Sequence, residues 1–302
     1  MTDGLLARDL IVVTGKGGVG KSTVAAALGI AAARRGLHVI VAEVSARTDV
    51  RRALGADDAV HEEELVDGLH HVSVDPEAAM EEYLIDQLPS RALADVLASS
   101  RAFTYFAAAT PGMRELLMIG KVWDLAQDER RTGDRAYDLV VLDAPATGHG
   151  LAVLRAPRTF GEVARVGPIA RQARTIDEML TDHSRTGVVA VARPEEMAVS
   201  ETLQLERALH DELGLPLDLV VANGVLPDRY TEADAAALRA QEPTAAFGAA
   251  LAAHARACAQ RPELSRLRRE SAAHVAVLPL LFQAVLDRAA IERLADRLER
   301  AL

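Results

Sequence analysis

The sequence predicts an α/β fold: a doubly wound, mostly parallel sheet carrying a helical insertion. Three observations predict it. Seven short runs rich in β-branched residues recur along the 302 residues, most of them carry apolar residues on both alternating faces, and helical stretches separate them. A strand that is apolar on both alternating faces is one covered on both sides, as in a parallel sheet. Right-handed βαβ crossovers then place helices on both faces.

The runs fall at residues 10–13, 38–42, 71–74, 139–142, 187–191, 217–221 and 274–278. Most neighbours are one βαβ unit apart or a little more. Between the third and fourth lies a long stretch with helical periodicity instead. Met80, Tyr83, Leu84 and Leu88 fall at i, i+3, i+4 and i+8, and Leu116, Leu117, Gly120 and Trp123 form a second face. Pro76, Pro89 and Pro111 stand where helices would begin. Residues 76–135 are therefore expected to form a helical insertion, a candidate client-binding subdomain, with residues 1–75 and 136–302 forming the sheet domain.

Composition narrows the function. A net charge of −10 opposes a nucleic-acid-coating protein, which needs a basic footprint. Aromatics at 3% leave little material for base-stacking platforms. Cys258 is the one cysteine, so a disulfide or thiolate cluster within one chain is ruled out. No run of about 18 apolar residues is present, and the first residues hold no basic-then-apolar leader; a cytoplasmic location without membrane insertion is expected. His70 and His71 are adjacent on a strand and so face opposite ways, which makes joint metal ligation improbable.

The chemistry is concentrated after the first strand, in Gly15-Lys16-Gly17-Gly18-Val19-Gly20-Lys21-Ser22-Thr23. This matches G-x-x-x-x-G-K-[ST], with a strand before it and an Ala-rich helix after it. Glycines let successive backbone N–H groups converge on phosphate oxygens, and the helix N-terminus adds its partial positive charge. Lys21 is expected on the β- and γ-phosphates, and Ser22 on Mg²⁺. Gly17, Gly18, Val19, Gly20 and Thr23 complete the ATP-binding loop. Lys16, directly after the first glycine, marks the deviant Walker A subclass. There this lysine reaches the phosphates of the opposing subunit and acts as an arginine finger would. Asp143 ends the fourth predicted strand, as in a Walker B strand, and is expected to hold Mg²⁺ through water.

The segment Asp143-Ala144-Pro145-Ala146-Thr147-Gly148-His149 resembles the switch II motif D-T-A-P-T-G-H of the arsenite-pump and tail-anchored-protein targeting ATPase family. Residues 193–202, from Arg193-Pro194-Glu195-Glu196-Met197 to Glu201-Thr202, are similar to the family's segment after the next strand. Asn223 is similar to a strand-end asparagine that contacts adenine, and Pro279-Leu280-Leu281 to the loop that packs on the base. Residues 109–117 resemble a helical-insert segment of short bacterial members. The resemblance implies Mg²⁺ and ATP as cofactor and substrate. It also implies a homodimer, or a heterodimer with a paralogue, whose inserts form an apolar surface for a helical client.

Two departures matter. Where the family has T-D-P-A-H, whose Asp orients the attacking water, this chain has Glu43-Val44-Ser45-Ala46-Arg47, with Ser45 at the Asp position. Slow hydrolysis is expected, with Glu43 or Asp49 as candidate substitutes. Arsenite activation uses converging thiolates, which Cys258 alone does not supply; a small apolar role in an Ala-rich helix is expected for it. Two alternatives compete with the dimeric switch. One is a hydrolysis-poor nucleotide-gated scaffold or heterodimer half. The other is a ParA/MinD-type partitioning ATPase, for which the evenly mixed charges of the C-terminal helix around Ile291, Leu294 and Leu298 are a poor match.

Overall fold

A computed structural model describes residues 4–44, 48–57, 59, 61–87, 90, 100, 110, 112–128, 136–163 and 167–302. Its centre is an eight-stranded sheet in the order β3-β4-β2-β5-β1-β6-β7-β8. The strands are β1 (Leu10–Gly15), β2 (Val39–Val44), β3 (Glu63–Val66), β4 (Leu69–Val74), β5 (Leu139–Asp143), β6 (Thr186–Ala192), β7 (Leu219–Val225) and β8 (His274–Pro279). All pairings are parallel except that of β3 with β4. Each of the seven predicted runs is a strand of this sheet.

β3 is the strand the sequence reading lacked. It is a four-residue edge strand with Glu63 and Glu64 exposed, so it carries none of the doubly covered apolar signal. Asp67-Gly68 turns it into β4, and Gly68 takes a positive φ of 75°, the dipeptide and geometry of a tight hairpin.

Among the described residues ten α-helices cover the sheet: α1 (Lys21–Arg34), α2 (Asp49–Ala53), α3 (Pro76–Gln87), α4 (Met113–Leu125), α5 (Thr147–Val163), α6 (Pro168–Thr181), α7 (Glu196–Ala208), α8 (Glu232–Arg239), α9 (Ala245–Glu270) and α10 (Arg288–Glu299). The strand period of two sorts side chains into two cores. On β1, Leu10 and Val12 join α4, α5, α6 and α7 through Ile119, Leu154, Ile176 and Val199. Ile11 and Val13 face the other way and meet α1 and α10 through Val24, Leu28, Ile291 and Leu298. The layer beneath α1 and α10 is closed by aliphatic side chains alone among the described residues, while the other also holds Tyr137 and Phe160.

Pro76 opens α3, as its position predicts; Pro89 and Pro111 lie outside the described residues. α4 packs on α5 and α6, and Met118 is buried there while Trp123 is partly buried against the same core. α10 buries Ile291, Leu294 and Leu298 against α1, so its apolar face is used within the fold. Among the described residues, no helix is long and apolar enough to cross a membrane.

Candidate active site

β1 lies between β5 and β6. The chain leaves β1 toward β2 on one side and later builds β6, β7 and β8 on the other. This is the switch point of an open parallel sheet, where a crevice forms beyond the carboxyl ends of the strands. The loop from Gly15 to Gly20 occupies it, and α1 starts at Lys21. Two glycines there are required sterically. Gly15 has φ 148°, and a Cβ on it would lie 2.2 Å from the Val191 carbonyl oxygen. Gly20 has φ 95°, and its Cβ would lie 2.3 Å from Asn223 Nδ2. Any other residue at 15 would push the loop off the β6 backbone, and one at 20 would displace the Asn223 amide and strain a left-handed backbone.

The loop presents two lysines in different surroundings. Lys21 is buried, and its Nζ donates to the Lys16 carbonyl oxygen at 3.2 Å across the loop. Its ammonium therefore sits inside the curl of backbone amides, where a phosphate would be cradled. Lys16 points outward: its Nζ pairs with Glu201 Oε1 of α7 at 2.5 Å, with both side chains about a third exposed. It lines an outer cleft with Gly17, Arg193, Glu195 and the exposed Met197.

Behind the loop, the Ser22 hydroxyl donates to Asp143 Oδ2 at 2.5 Å. Asp143 is buried at the end of β5, in register with Val13 of β1 and Glu43 of β2. A hydroxyl and a carboxylate meeting at the start of α1 are hard oxygen donors of the kind Mg²⁺ takes, alongside water and phosphate oxygens. The residues present fit that ion.

On the far side, Gly20, Thr23, Arg193, Asn223, Pro279 and Leu281 line a cleft of about 660 Å³. Asn223 Nδ2 donates to the Val19 carbonyl at 2.8 Å. That bond commits the amide nitrogen to the loop and leaves the side-chain oxygen as an acceptor for a base amino group. The structure thus brings together Lys16 to Thr23, Asp143, Asn223, Pro279 and Leu281 around one crevice.

Three expectations change or fall away. Glu43 cannot substitute for the water-orienting Asp. Its carboxylate is fully buried, with Oε1 accepting from the Asp49 amide at 3.0 Å and Oε2 from the Val50 amide at 3.0 Å and His71 Nε2 at 2.7 Å. Cys258 is partly exposed rather than buried, with Sγ 3.5 Å from His254 Nε2. Ser45 and the side chains of Thr147, Gly148 and His149 lie outside the described residues. His70 and His71 do face opposite ways: His71 is fully buried on Glu43, while His70 stacks edge-on with Tyr137.

Sequence reasoning missed Glu201 as the partner of Lys16 and the embrace of Glu43. The first contact spans 185 positions, which no local pattern encodes. The second did leave a trace: an acid at a strand end otherwise built of Val, Ile and Ala.

The model of the anion-transporting ATPase family matches residues 8–172 and 162–245. The chain is 29% identical over 234 residues to ATPase BagA of Mycobacterium tuberculosis, covering 75% of this chain and 68% of that protein. It is 28% identical over 243 residues to an arsenical pump-driving ATPase of Acidiphilium multivorum, spanning 74% of this chain but 40% of the pump ATPase. To ATPase GET3 of Kluyveromyces lactis it is 27% identical over 264 residues, 74% of each chain. With a loop built for phosphate, an oxygen pair suited to a divalent cation and a base-sized cleft on one crevice, the matched family fits the geometry: this chain belongs to the anion-transporting ATPase family and is a P-loop ATPase.

Proposed function

We propose that the chain is a nucleotide-driven dimeric switch that hydrolyses Mg-ATP slowly and couples its nucleotide state to an apolar client-binding surface. The observation that carries this reading is the division of labour between the two lysines. Lys21 is enclosed by its own loop, whereas Lys16 projects from it into an open cleft and is held by a partly exposed carboxylate. A cation so placed is poorly disposed toward its own phosphates and well disposed toward those of a facing molecule.

In this reading the amides of Gly17, Gly18, Val19, Gly20 and Thr23 and the Lys21 ammonium bind the phosphates, and Asn223, Pro279 and Leu281 receive adenine. Ser22 and Asp143 would hold Mg²⁺, which supplies neutralisation of the phosphate charge when bound. Lys16 of each subunit then serves the partner's nucleotide, whether the partner is a second copy or a paralogue.

The client surface is the groove of about 790 Å³ between α3, α4 and α6, lined by Met80, Tyr83, Leu116, Leu117, Ile169 and Ile176. Ile169 is exposed there, and a Lys121–Glu82 ion pair at 2.6 Å ties α3 to α4 at the rim. Such a groove suits one face of an amphipathic helix.

A second reading, a hydrolysis-poor scaffold or heterodimer half, is favoured by the sequestration of Glu43, which removes one candidate for the water-orienting acid. Light scattering with a non-hydrolysable ATP analogue, together with steady-state turnover, tests the proposal. ATP-dependent dimerisation that Lys16→Ala abolishes, with turnover rising faster than protein concentration, is the expected result. A chain that turns over ATP as a monomer, indifferent to Lys16→Ala, would rule it out.

A further inference from the structure

We infer that Glu43 is a positioning residue for ATP hydrolysis, acting through a buried clamp that ties the start of α2 to the strand ends beside Asp143. The inference rests on the P-loop ATPase reading above and adds a residue that does not itself reach the nucleotide.

The register places the clamp. Glu43 of β2 lies beside Asp143 of β5 on one side and Ser73 of β4 on the other. Register partners in a parallel sheet project to the same face, and alternate residues share it. Val39 and Val41 of β2, and Leu139 and Val141 of β5, all join the core beneath α1. Glu43 and Asp143 therefore project on the α1 side, at the carboxyl edge where Ser22 begins that helix. Two neighbouring acids end up with different partners: Asp143 receives the Ser22 hydroxyl, and Glu43 receives α2.

A carboxylate with no exposed surface requires hydrogen bonds in place of water. Glu43 has three, from the Asp49 and Val50 amides and from His71 Nε2. The two amides belong to the first turn of α2 and have no acceptor within so short a helix, so the side chain satisfies them. His71 is fixed in turn. Its Nδ1 is buried without a hydrogen-bond partner, so the ring that fits carries its proton on Nε2 and donates it to Glu43. The first turn of α2, through Asp49 and Val50, is thereby held on one buried side chain of β2. Asp49 and Val50 are thus tied to the strand residue that stands in register with Asp143.

Nothing else in the mechanism requires an acid at this position. A Val would continue the strand, and the amides of α2 could turn to water. The clamp makes the strand end and the helix start one rigid piece, and the rate of a positional reaction such as phosphoryl transfer depends on such pieces.

The chemistry of the carboxylate supplies a specific test. Glu43→Gln keeps the shape but replaces one acceptor oxygen with an N–H₂ donor. Placing that nitrogen at the Oε1 position sacrifices only the Asp49 bond, while the other orientation loses both the Val50 and His71 bonds. The expected result has three parts. Hydrogen exchange at the Asp49 amide quickens at least tenfold while Val50 stays protected. Affinity for a fluorescent ATP analogue stays within twofold. Turnover at saturating ATP falls about tenfold. His71→Asn, which leaves both amide bonds in place, should lower turnover by less than threefold.

Unchanged turnover in Glu43→Gln would overturn the inference. So would parallel losses of affinity, turnover and thermal stability in both variants, the pattern of a merely structural residue. Lys21→Ala serves as the separate control: if it leaves nucleotide binding intact, the P-loop assignment fails, whereas the exchange rates still report on the clamp.

Discussion

The carboxyl ends of β5 and β2 stand side by side, with Asp143 and Glu43 in register, yet they carry different chemistry. Asp143 meets a hydroxyl at the start of α1 and lies behind the phosphate loop. Glu43, its register neighbour, is enclosed by two amides and an imidazole. Strand, face and burial are nearly the same for both. What differs is the next element: β5 runs on through Ala144 and Pro145, while β2 is followed by a short helix whose first amides fold back onto the acid. The role of an acidic strand end is therefore set by what the following turn offers it, and a motif search by residue type alone does not separate the two.

The largest effect that would sharpen this contrast is expected at Asp143. Asp143→Asn should retain nucleotide binding within a few-fold and lose turnover by about two orders of magnitude, a few kcal/mol of transition-state stabilisation. Lys16→Ala comes next. It should lower turnover by at least tenfold and remove its dependence on dimerisation while leaving monomer binding of nucleotide intact, as equilibrium binding and light scattering would show. The tenfold effect of Glu43→Gln ranks third, with its own signature in amide exchange.

A smaller effect should come from Glu201, whose carboxylate holds Lys16 in the same chain. A partly exposed ion pair contributes about 0–1 kcal/mol. Glu201→Gln is accordingly expected to free Lys16 and lower the ATP concentration for half-maximal dimerisation by up to about fivefold. A rise in that concentration would mean that Glu201 positions Lys16 rather than restrains it.

The smallest effect concerns the edge of the sheet. The buried Arg51 guanidinium donates to Glu63 Oε2 at 2.7 Å and holds that carboxyl below the usual glutamate range. A lowered folded value means the stabilisation is present above the ordinary glutamate pKa and is lost as pH falls through the folded one. Acid-melting curves of Glu63→Gln should therefore converge on the wild type at low pH and fall slightly below it at neutral pH. A constant offset across the whole range would contradict the assignment.

Much of this arrangement was legible in the residues. Seven strands are legible because burial on both faces favours apolar residues on both alternating sides, most completely in Leu10 to Val13 and Leu139 to Leu142. The phosphate loop was legible because its glycines answer to sterics that the next strand imposes, with Val191 behind Gly15 and Asn223 behind Gly20. β3 was not legible, since an exposed edge strand of four residues needs no apolar pattern. Nor was the pairing of Lys16 with Glu201 or of Glu43 with His71, because each is decided by strand order and register rather than by neighbouring sequence. The expectation of Glu43 as a substitute for the water-orienting acid fails for the same reason: its residue type is right, and its surroundings, set by α2, are not.

The claim that Asp143 acts on the cation while Glu43 acts on the backbone is tested most directly by the Mg²⁺ dependence of ATP turnover in the two variants measured side by side. The account predicts that Asp143→Asn raises the Mg²⁺ concentration for half-maximal turnover at least tenfold, whereas Glu43→Gln lowers the maximum and leaves that concentration unchanged. Equal shifts in both variants, or a shift in Glu43→Gln alone, would contradict it.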